Sequence, residues 1–285
     1  MIDGIPVIAR DLADLLRTEA LPLLARALPS EVTAALVEAG PDDAPLPHMT
    51  EQRGAYLDAS WGDLAEPFPE GPRGPLPFGF AALADKLSAR ASEKVARALE
   101  LGCSVGRGLA RLARGAELTV GLDRSAGALR LARRLLRGEQ VEYGRRTSGR
   151  AYVSARVQAG SEAVPAVQLI CGDALDPPFA PGSFDRVAAL NLLDNVSSPR
   201  VLLHQLHQLA APGGEILLSS PYAWRTGIVE EGERLGDLDP AQALRDEVRA
   251  LGWSIEDDDP RVPWELRRDA RAASLYSVHW LRARR

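Results

Sequence analysis

The residues that could do chemistry begin at Glu100, in the stretch Ala98-Leu-Glu-Leu-Gly-Cys-Ser-Val-Gly-Arg-Gly108, and continue to Asp123 at the end of Val120-Gly-Leu-Asp123. A short apolar run ends in a glycine-rich turn, a helical pattern follows (Leu109, Leu112, Ala113), and a second apolar run stops at a lone acid. The glycines let backbone approach a ligand closely, and the helix start offers free N–H groups. An acid closing the next strand can accept hydrogen bonds from both hydroxyls of a ribose. The spacing therefore describes a nucleotide site. Two further polar residues stand in comparable places: Asp173 after the apolar run 167–171, and Asn191 at the end of 186–191.

Such residues need a sheet whose strand ends sit side by side, and the chain has the elements for one. Strands are expected at 95–101, 118–123, 167–171, 186–191 and 215–220, with helices at 79–91, 107–114 and from the Ser125 cap to Leu136. Another helix is expected from Ser198-Pro199 to Leu209, and one from Asp239-Pro240 to Gly252. Two closing strands are read at 254–258 and 273–282. Residues 138–165 interrupt the alternation with a hairpin insertion turning near Ser148-Gly149; Arg145, Arg146, Arg150 and Arg156 make it basic, which suits either a solvated hairpin or a site for an anion. Upstream, leucines of 11–28 suggest two short helices broken at Pro22, with another beginning at Ser30. The prolines and glycines of 40–80 exclude long elements there. Tyr56, Trp61, Phe68, Phe78 and Phe80 anchor that segment as a cap over the binding face or as a loop pinned to the core. The expected domains are a helical and proline-rich cap, 1–92, and a core, 93–285.

At 285 residues with formal charge −5, the chain can bury a large core and carries no global basic field to attract nucleic acid. All but two of its 34 lysines and arginines are arginine, which reads as genome bias. Two cysteines, Cys103 and Cys171, argue against a disulfide framework or a cysteine zinc site, and no metal is expected. With neither a signal peptide nor a membrane-length apolar run, the expected location is cytoplasmic, without membrane contact. The oligomeric state is left open.

In order and in strand-end residues the chain resembles the class I S-adenosylmethionine-dependent methyltransferases over about residues 95–284. The resemblance rests on Glu100-Leu-Gly-Cys-Ser-Val-Gly106, Gly121-Leu-Asp123, Cys171-Gly-Asp173-Ala174, Phe184-Asp-Arg-Val-Ala-Ala-Leu-Asn191 and Leu209-Ala-Ala-Pro-Gly-Gly-Glu-Ile-Leu217. It implies an α/β fold with a doubly wound, mostly parallel, seven-stranded Rossmann-like sheet, and S-adenosyl-L-methionine as cofactor. Gly102, Ser104 and Gly106 would frame its methionine end above Glu100, with Ser104 standing where many members have glycine. Asp123 would take the ribose hydroxyls, Asp173 with Ala174 the adenine, and Asn191 would lie near the methionine amine.

The acceptor is expected to be a small molecule. No Asn-Pro-Pro-Tyr or Asp-Pro-Pro-Tyr follows the 186–191 strand, which argues against methylation of nucleic-acid bases. Ser219-Ser-Pro-Tyr-Ala-Trp224 and Pro263-Trp-Glu-Leu-Arg-Arg-Asp-Ala-Arg271 with Ser277-Val-His279 are similar to the methyltransferase module of ovothiol synthases, whose acceptor is a mercaptohistidine. Met1–Arg10 is similar to the closing segment of the zinc-ribbon domains that accompany some methyltransferases, although the cysteines of such a ribbon are absent; an edge strand or a loose terminus is the other reading. Displacement at a sulfonium rests largely on positioning, and a base is needed only if the acceptor has a proton to lose. The sequence names no base. Candidates for the acceptor side are Tyr56, Asp194, Tyr222 and Trp224, with Asn195 and His48 beside them; His204, His207 and His279 read as structural.

Two other readings use the same residues. Gly102-Cys-Ser-Val-Gly106 fits the nucleophile turn of α/β-hydrolases, with Ser104 attacking and Asp257 and His279 following in the right order. A non-catalytic S-adenosylmethionine-binding partner protein would also need the glycine loop and its acids. A nicotinamide enzyme fits less well, because Gly106-Arg-Gly108-Leu-Ala-Arg111 lacks the third small residue.

Overall fold

The computed structural model describes residues 1–13, 15, 54–65, 79–89, 93–149, 151–160, 166–236 and 238–285. Nine strands are assigned among them: β1 (Val95–Leu101), β2 (Ala116–Asp123), β3 (Gln140–Ser148), β4 (Ala151–Gln158), β5 (Val167–Cys171), β6 (Phe184–Leu190), β7 (Ala210–Ser220), β8 (Ser254–Arg267) and β9 (Ala273–Arg284). Five helices pack on the main sheet: α1 (Ala81–Ser88), α2 (Arg107–Leu112), α3 (Ala126–Leu136), α4 (Pro199–Leu209) and α5 (Pro240–Ala250). A further helix runs through residues 54–61 and is called the cap helix below. No described helix is long and apolar enough to cross a membrane.

Seven strands form one sheet in the order β5-β2-β1-β6-β7-β9-β8. The first five are parallel, and the β9–β8 hairpin closes the sheet antiparallel. Helices cover both faces, so the central strands are apolar in both directions. Leu99, Leu101, Val187, Ala189, Ile216 and Leu218 pack with α4 and α5, while Ala188, Leu190 and Leu217 pack with α1 and Trp280. From β1 the chain goes one way to β2 and β5, then returns to place β6 and β7 on the other side. The crevice at the C-terminal ends of β1 and β6 is therefore the switch point where such sheets bind ligands.

Local chemistry fixes the helix starts. Ser125 accepts from the Ala128 N–H, and Asp239 from the Gln242 N–H at 2.9 Å; Pro199 and Pro240 each occupy a first turn. The C-terminal strands depart from expectation. Instead of ending at 258, β8 continues through Pro260 and Pro263 to Arg267, with bulges between Ile255 and Asp257 and between Asp259 and Val262. It can do so because it is the outermost strand, where a missing N–H breaks no inner ladder.

The hairpin insertion, β3–β4, forms its own two-stranded sheet and never joins the main one. Its apolar face packs Val141, Tyr143, Ala155 and Val157 around Leu57 and Trp61 of the cap helix and Val105 of the loop after β1. Asp58 of the cap helix accepts from Tyr143 Oη (2.7 Å) and from Arg145 Nε (2.5 Å), all buried. Of the hairpin's arginines, Arg145 is inward, Arg156 faces Glu142 at 3.6 Å on the exposed side, and Arg150 lies outside the described residues.

At the opposite edge, the Ile8 N–H donates to the Cys171 carbonyl and the Cys171 N–H to the Pro6 carbonyl, both at 2.8 Å. Residues 6–8 therefore run parallel to the end of β5 and bridge it at Cys171. Ile5, behind an Asp3-Gly4 turn, is buried against Leu129, Leu169 and Cys171.

One buried charge cluster ties three strands at the base of the sheet. Glu215 accepts from Arg186 Nε and Arg282 Nε, each at 2.6 Å. Burial works to raise the Glu215 carboxyl, but the two guanidiniums outweigh it and hold it below the ordinary glutamate value. Its contribution to stability is present above the unfolded value of about 4.3 and is lost as pH falls through the lower folded value. Urea unfolding between neutral and acid pH should show that component in the wild type and lack it in Glu215→Gln.

Candidate functional site

The switch point opens into a cleft of about 610 Å³. Its floor is the loop after β1. Gly102 has φ +73°, and a side chain there would strike Leu192; Gly108 lies so near Glu100 that a Cβ would come within 2.2 Å of its carboxylate. Ser104 holds φ +46°, a left-handed conformation unusual for a residue with a side chain. Its N–H is fastened to Asp123 Oδ2 at 2.7 Å.

Asp123 accepts from the Ser125 N–H as well, at 2.8 Å, so its carboxylate is fixed at the end of β2 beside the loop. Burial raises it, and the two N–H bonds restrain that rise without cancelling it. Asp173, past the end of β5, accepts from the Leu175 N–H at 2.8 Å, and Ala174 lines the cleft next to it. Asn191, past the end of β6, has φ +51°; its side-chain oxygen accepts from Ser219 at 2.9 Å and its carbonyl from Asn195 at 3.0 Å.

Two side chains of opposite charge in this cleft are only partly satisfied: Glu100, which meets the Leu109 N–H, and Arg107. Glu100 Oε2 and Arg107 Nε are both buried without a hydrogen bond. Burial, then the charge of Asp123, pushes the Glu100 carboxyl well up, while burial lowers Arg107 against the opposing pull of Asp63. Arg107 is held from one side only: its Nη2 donates to Asp63 at 2.6 Å, and its guanidinium lies 4.6 Å from the ring centroid of Trp61, whose Nε1 donates to the Val105 carbonyl. A carboxylate and a guanidinium in one cavity, each with one buried atom still without a hydrogen bond, are suited to a ligand carrying both an ammonium and a carboxylate.

The other half of the cleft is lined by Tyr56 and Phe80, by Asp194, Pro221, Ala223 and Arg225, and by Trp264 and Tyr276, which are partners across β8–β9. Asp194 is 2% exposed and raised by burial, with the Ala223 N–H, the Ser220 hydroxyl and Arg225 pulling the other way.

Of the residues singled out in the sequence, Glu100, Gly102, Ser104, Asp123, Asp173, Ala174, Asn191, Tyr56, Asp194 and Asn195 all line this cleft. Gly106 does not; it turns the chain, at φ +82°, into α2. Tyr222 and Trp224 are a correction. After β7 the chain leaves the extended conformation at Tyr222 (φ +53°), and Pro221, Ala223 and Arg225 line the cleft while Tyr222 and Trp224 pack against the α4–α5 layer. There the Tyr222 hydroxyl meets His279 Nδ1 at 2.6 Å, and His279 Nε2 meets Asp258 at 2.9 Å. With both ring nitrogens engaged there, His279 has none left for Ser104, and the hydrolase reading loses its base. His48 lies outside the described residues.

Arg107 and Arg225 were missed. Arg107 carried a signal, since a basic residue at a first helical position opposes the helix dipole and requires a specific partner. Arg225 carried none, because the left-handed Tyr222 breaks the alternation that ends with β7. No described group of three or more His, Cys, Asp or Glu is placed to hold a metal.

The sequence matches the family model described as "Methyltransferase domain" over residues 99–218. In three dimensions the chain is similar to the [4+2]-cyclase SpnF, at 16% identity over 83% of this chain and 96% of that one, with a TM-score of 0.50. It is also similar to the YcgJ protein of Bacillus subtilis (11% identity, 72% and 98% covered, TM-score 0.49). A third is the N-methyltransferase NodS of Bradyrhizobium japonicum in complex with S-adenosyl-L-homocysteine (16% identity, 71% and 83% covered, TM-score 0.43). At these identities the likeness is one of fold.

Proposed function

We propose that this chain, whose residues 99–218 match a methyltransferase-domain model, is a class I S-adenosylmethionine-dependent methyltransferase that methylates a small molecule, with residues 93–285 as its catalytic core and 1–92 as the cap. The observation that carries the cofactor assignment is the unpartnered pair Glu100 Oε2 and Arg107 Nε. In this reading Glu100 takes the methionine ammonium and Arg107 its carboxylate, each gaining the hydrogen bond it lacks. Asp123 takes the ribose hydroxyls, and Asp173 with Ala174 the adenine edge. Asn191, its side chain turned to Ser219, keeps the end of β6 in the left-handed turn that shapes the floor.

S-adenosylmethionine supplies an electrophilic methyl group. What the protein adds is position: a rigid floor on five parallel strand ends, and a roof from the cap helix and Phe80 that limits water. A small acceptor is favoured by the size of the cleft, whose 610 Å³ must hold both ligands, and by the absence of a basic field.

Calorimetry with S-adenosylhomocysteine and with 5′-methylthioadenosine, which lacks the amino-acid end, tests the assignment. The wild type should bind the first more tightly, and Arg107→Gln should narrow that gap by about tenfold or more. No binding of S-adenosylhomocysteine by the wild type would sink the reading. A gap unchanged in Arg107→Gln would remove Arg107 from it.

A further inference from the structure

Once Glu100, Asp123, Asp173 and Arg107 are assigned to the cofactor, the other half of the cleft still contains a carboxylate, Asp194, and a guanidinium, Arg225. The two are close enough for Arg225 to influence the Asp194 carboxyl, yet Arg225 does not close onto it. Its Nη2 donates instead to the Tyr56 hydroxyl of the cap helix, at 3.3 Å. Asp194 is built in from behind, by Ser220 Oγ at 3.4 Å and the Ala223 N–H. A carboxylate buried to this degree is costly unless a cation or strong donor reaches it. The same half of the cleft has an aromatic wall. Trp264 and Tyr276 lie with ring centroids 5.2 Å apart, in one cluster with Tyr56 and Phe80 of the cap side. Such walls favour flat rings and cationic groups.

Resting on the cofactor assignment above, we propose that this half of the cleft binds a small zwitterion with an aromatic or heteroaromatic body. Its ammonium nitrogen lies on the Asp194 carboxylate, its carboxylate on Arg225, and its ring against the Trp264–Tyr276 wall. A neutral lipid or a polyanion would leave Asp194 without a cation, and a simple amine would leave Arg225 without an anion. The site thus selects for two neighbouring opposite charges beside an aromatic wall.

The test is calorimetry on the full chain saturated with S-adenosylhomocysteine, using L-tryptophan, L-histidine, tryptamine and indole-3-propionate as probes. At least one amino acid should bind. Tryptamine, lacking the carboxylate, and indolepropionate, lacking the ammonium, should bind at least about tenfold more weakly than tryptophan. Asp194→Asn should abolish the preference over indolepropionate, and Arg225→Gln the preference over tryptamine. Both variants should retain wild-type affinity for S-adenosylhomocysteine, which also shows that they are folded. The proposal is overturned if neither amino acid binds to protein that has bound S-adenosylhomocysteine, if a singly charged probe binds as well as tryptophan, or if the variants leave the discrimination unchanged. Failure to bind S-adenosylhomocysteine would count against the cofactor assignment instead.

Discussion

Asp123→Ala is expected to weaken binding of S-adenosylhomocysteine by roughly 10²–10⁴-fold, the loss of two hydrogen bonds to a charged acceptor at about 1.5–3 kcal/mol each. The effect should exceed that of any other single change in the cofactor half, because Asp123 plays two parts. It faces the cleft from the end of β2, and it anchors the left-handed Ser104 through the 2.7 Å bond from that residue's N–H. Asp123→Asn should fall between, since the amide oxygen can accept one bond but carries no charge. Calorimetry separates this residue from Arg107: 5′-methylthioadenosine, which keeps the ribose, should lose affinity to the same degree in Asp123→Ala and be nearly indifferent to Arg107→Gln. An Asp123→Ala protein that binds as tightly as wild type would mean the ribose lies elsewhere.

The second large effect is on stability. Asp58→Ala should destabilise the protein by about 3–5 kcal/mol in urea unfolding, the range for removing one partner of a buried pair. Arg145 and Asp58 are 7% and 4% exposed, so the guanidinium left behind could not regain water without opening the hairpin. The Tyr143 hydroxyl, which burial and Asp58 keep protonated above its ordinary range, would lose its acceptor too. Asp58→Asn should cost less, because an amide oxygen can still accept from Tyr143. A loss below about 1 kcal/mol in Asp58→Ala would show that the cap helix and hairpin are held by their apolar contacts alone.

The parallel half of the sheet was legible because each strand is short, apolar and ended by a residue with its own chemistry: Gly102, Asp123, Asp173, Asn191. Helix starts were legible for the same kind of reason, a serine or aspartate followed by proline or an apolar face. The C-terminal strands were harder. Pro260 and Pro263 look like breaks in sequence, and only the position of β8 at the sheet edge explains why they are tolerated. In the site, residue type pointed to Tyr222 and Trp224, but the cleft is lined by Pro221, Ala223 and Arg225, because a left-handed turn at Tyr222 (φ +53°), which no local residue type announces, sets which side chains face it. The hairpin's arginines were ambiguous because nothing local to them indicated that Asp58, far earlier in the chain, would neutralise one of them. Most of the proline-rich segment 40–80 lies outside the described residues.

Residues 6–8 and Cys171, which share an edge, are more than half the chain apart. During synthesis the earlier segment leaves the ribosome long before β5 exists, and it can find its place only after β2, α3 and the whole β3–β4 hairpin have been made. Pairing at such separation carries a high loop-closure cost and is expected late in folding. Until then the outer N–H and C=O of Cys171 stand open at the end of an edge strand, the kind of edge through which half-folded chains join one another. The bridge is thus a timing device as well as a contact: the faster residues 6–8 dock, the shorter the period in which this end of the edge is open.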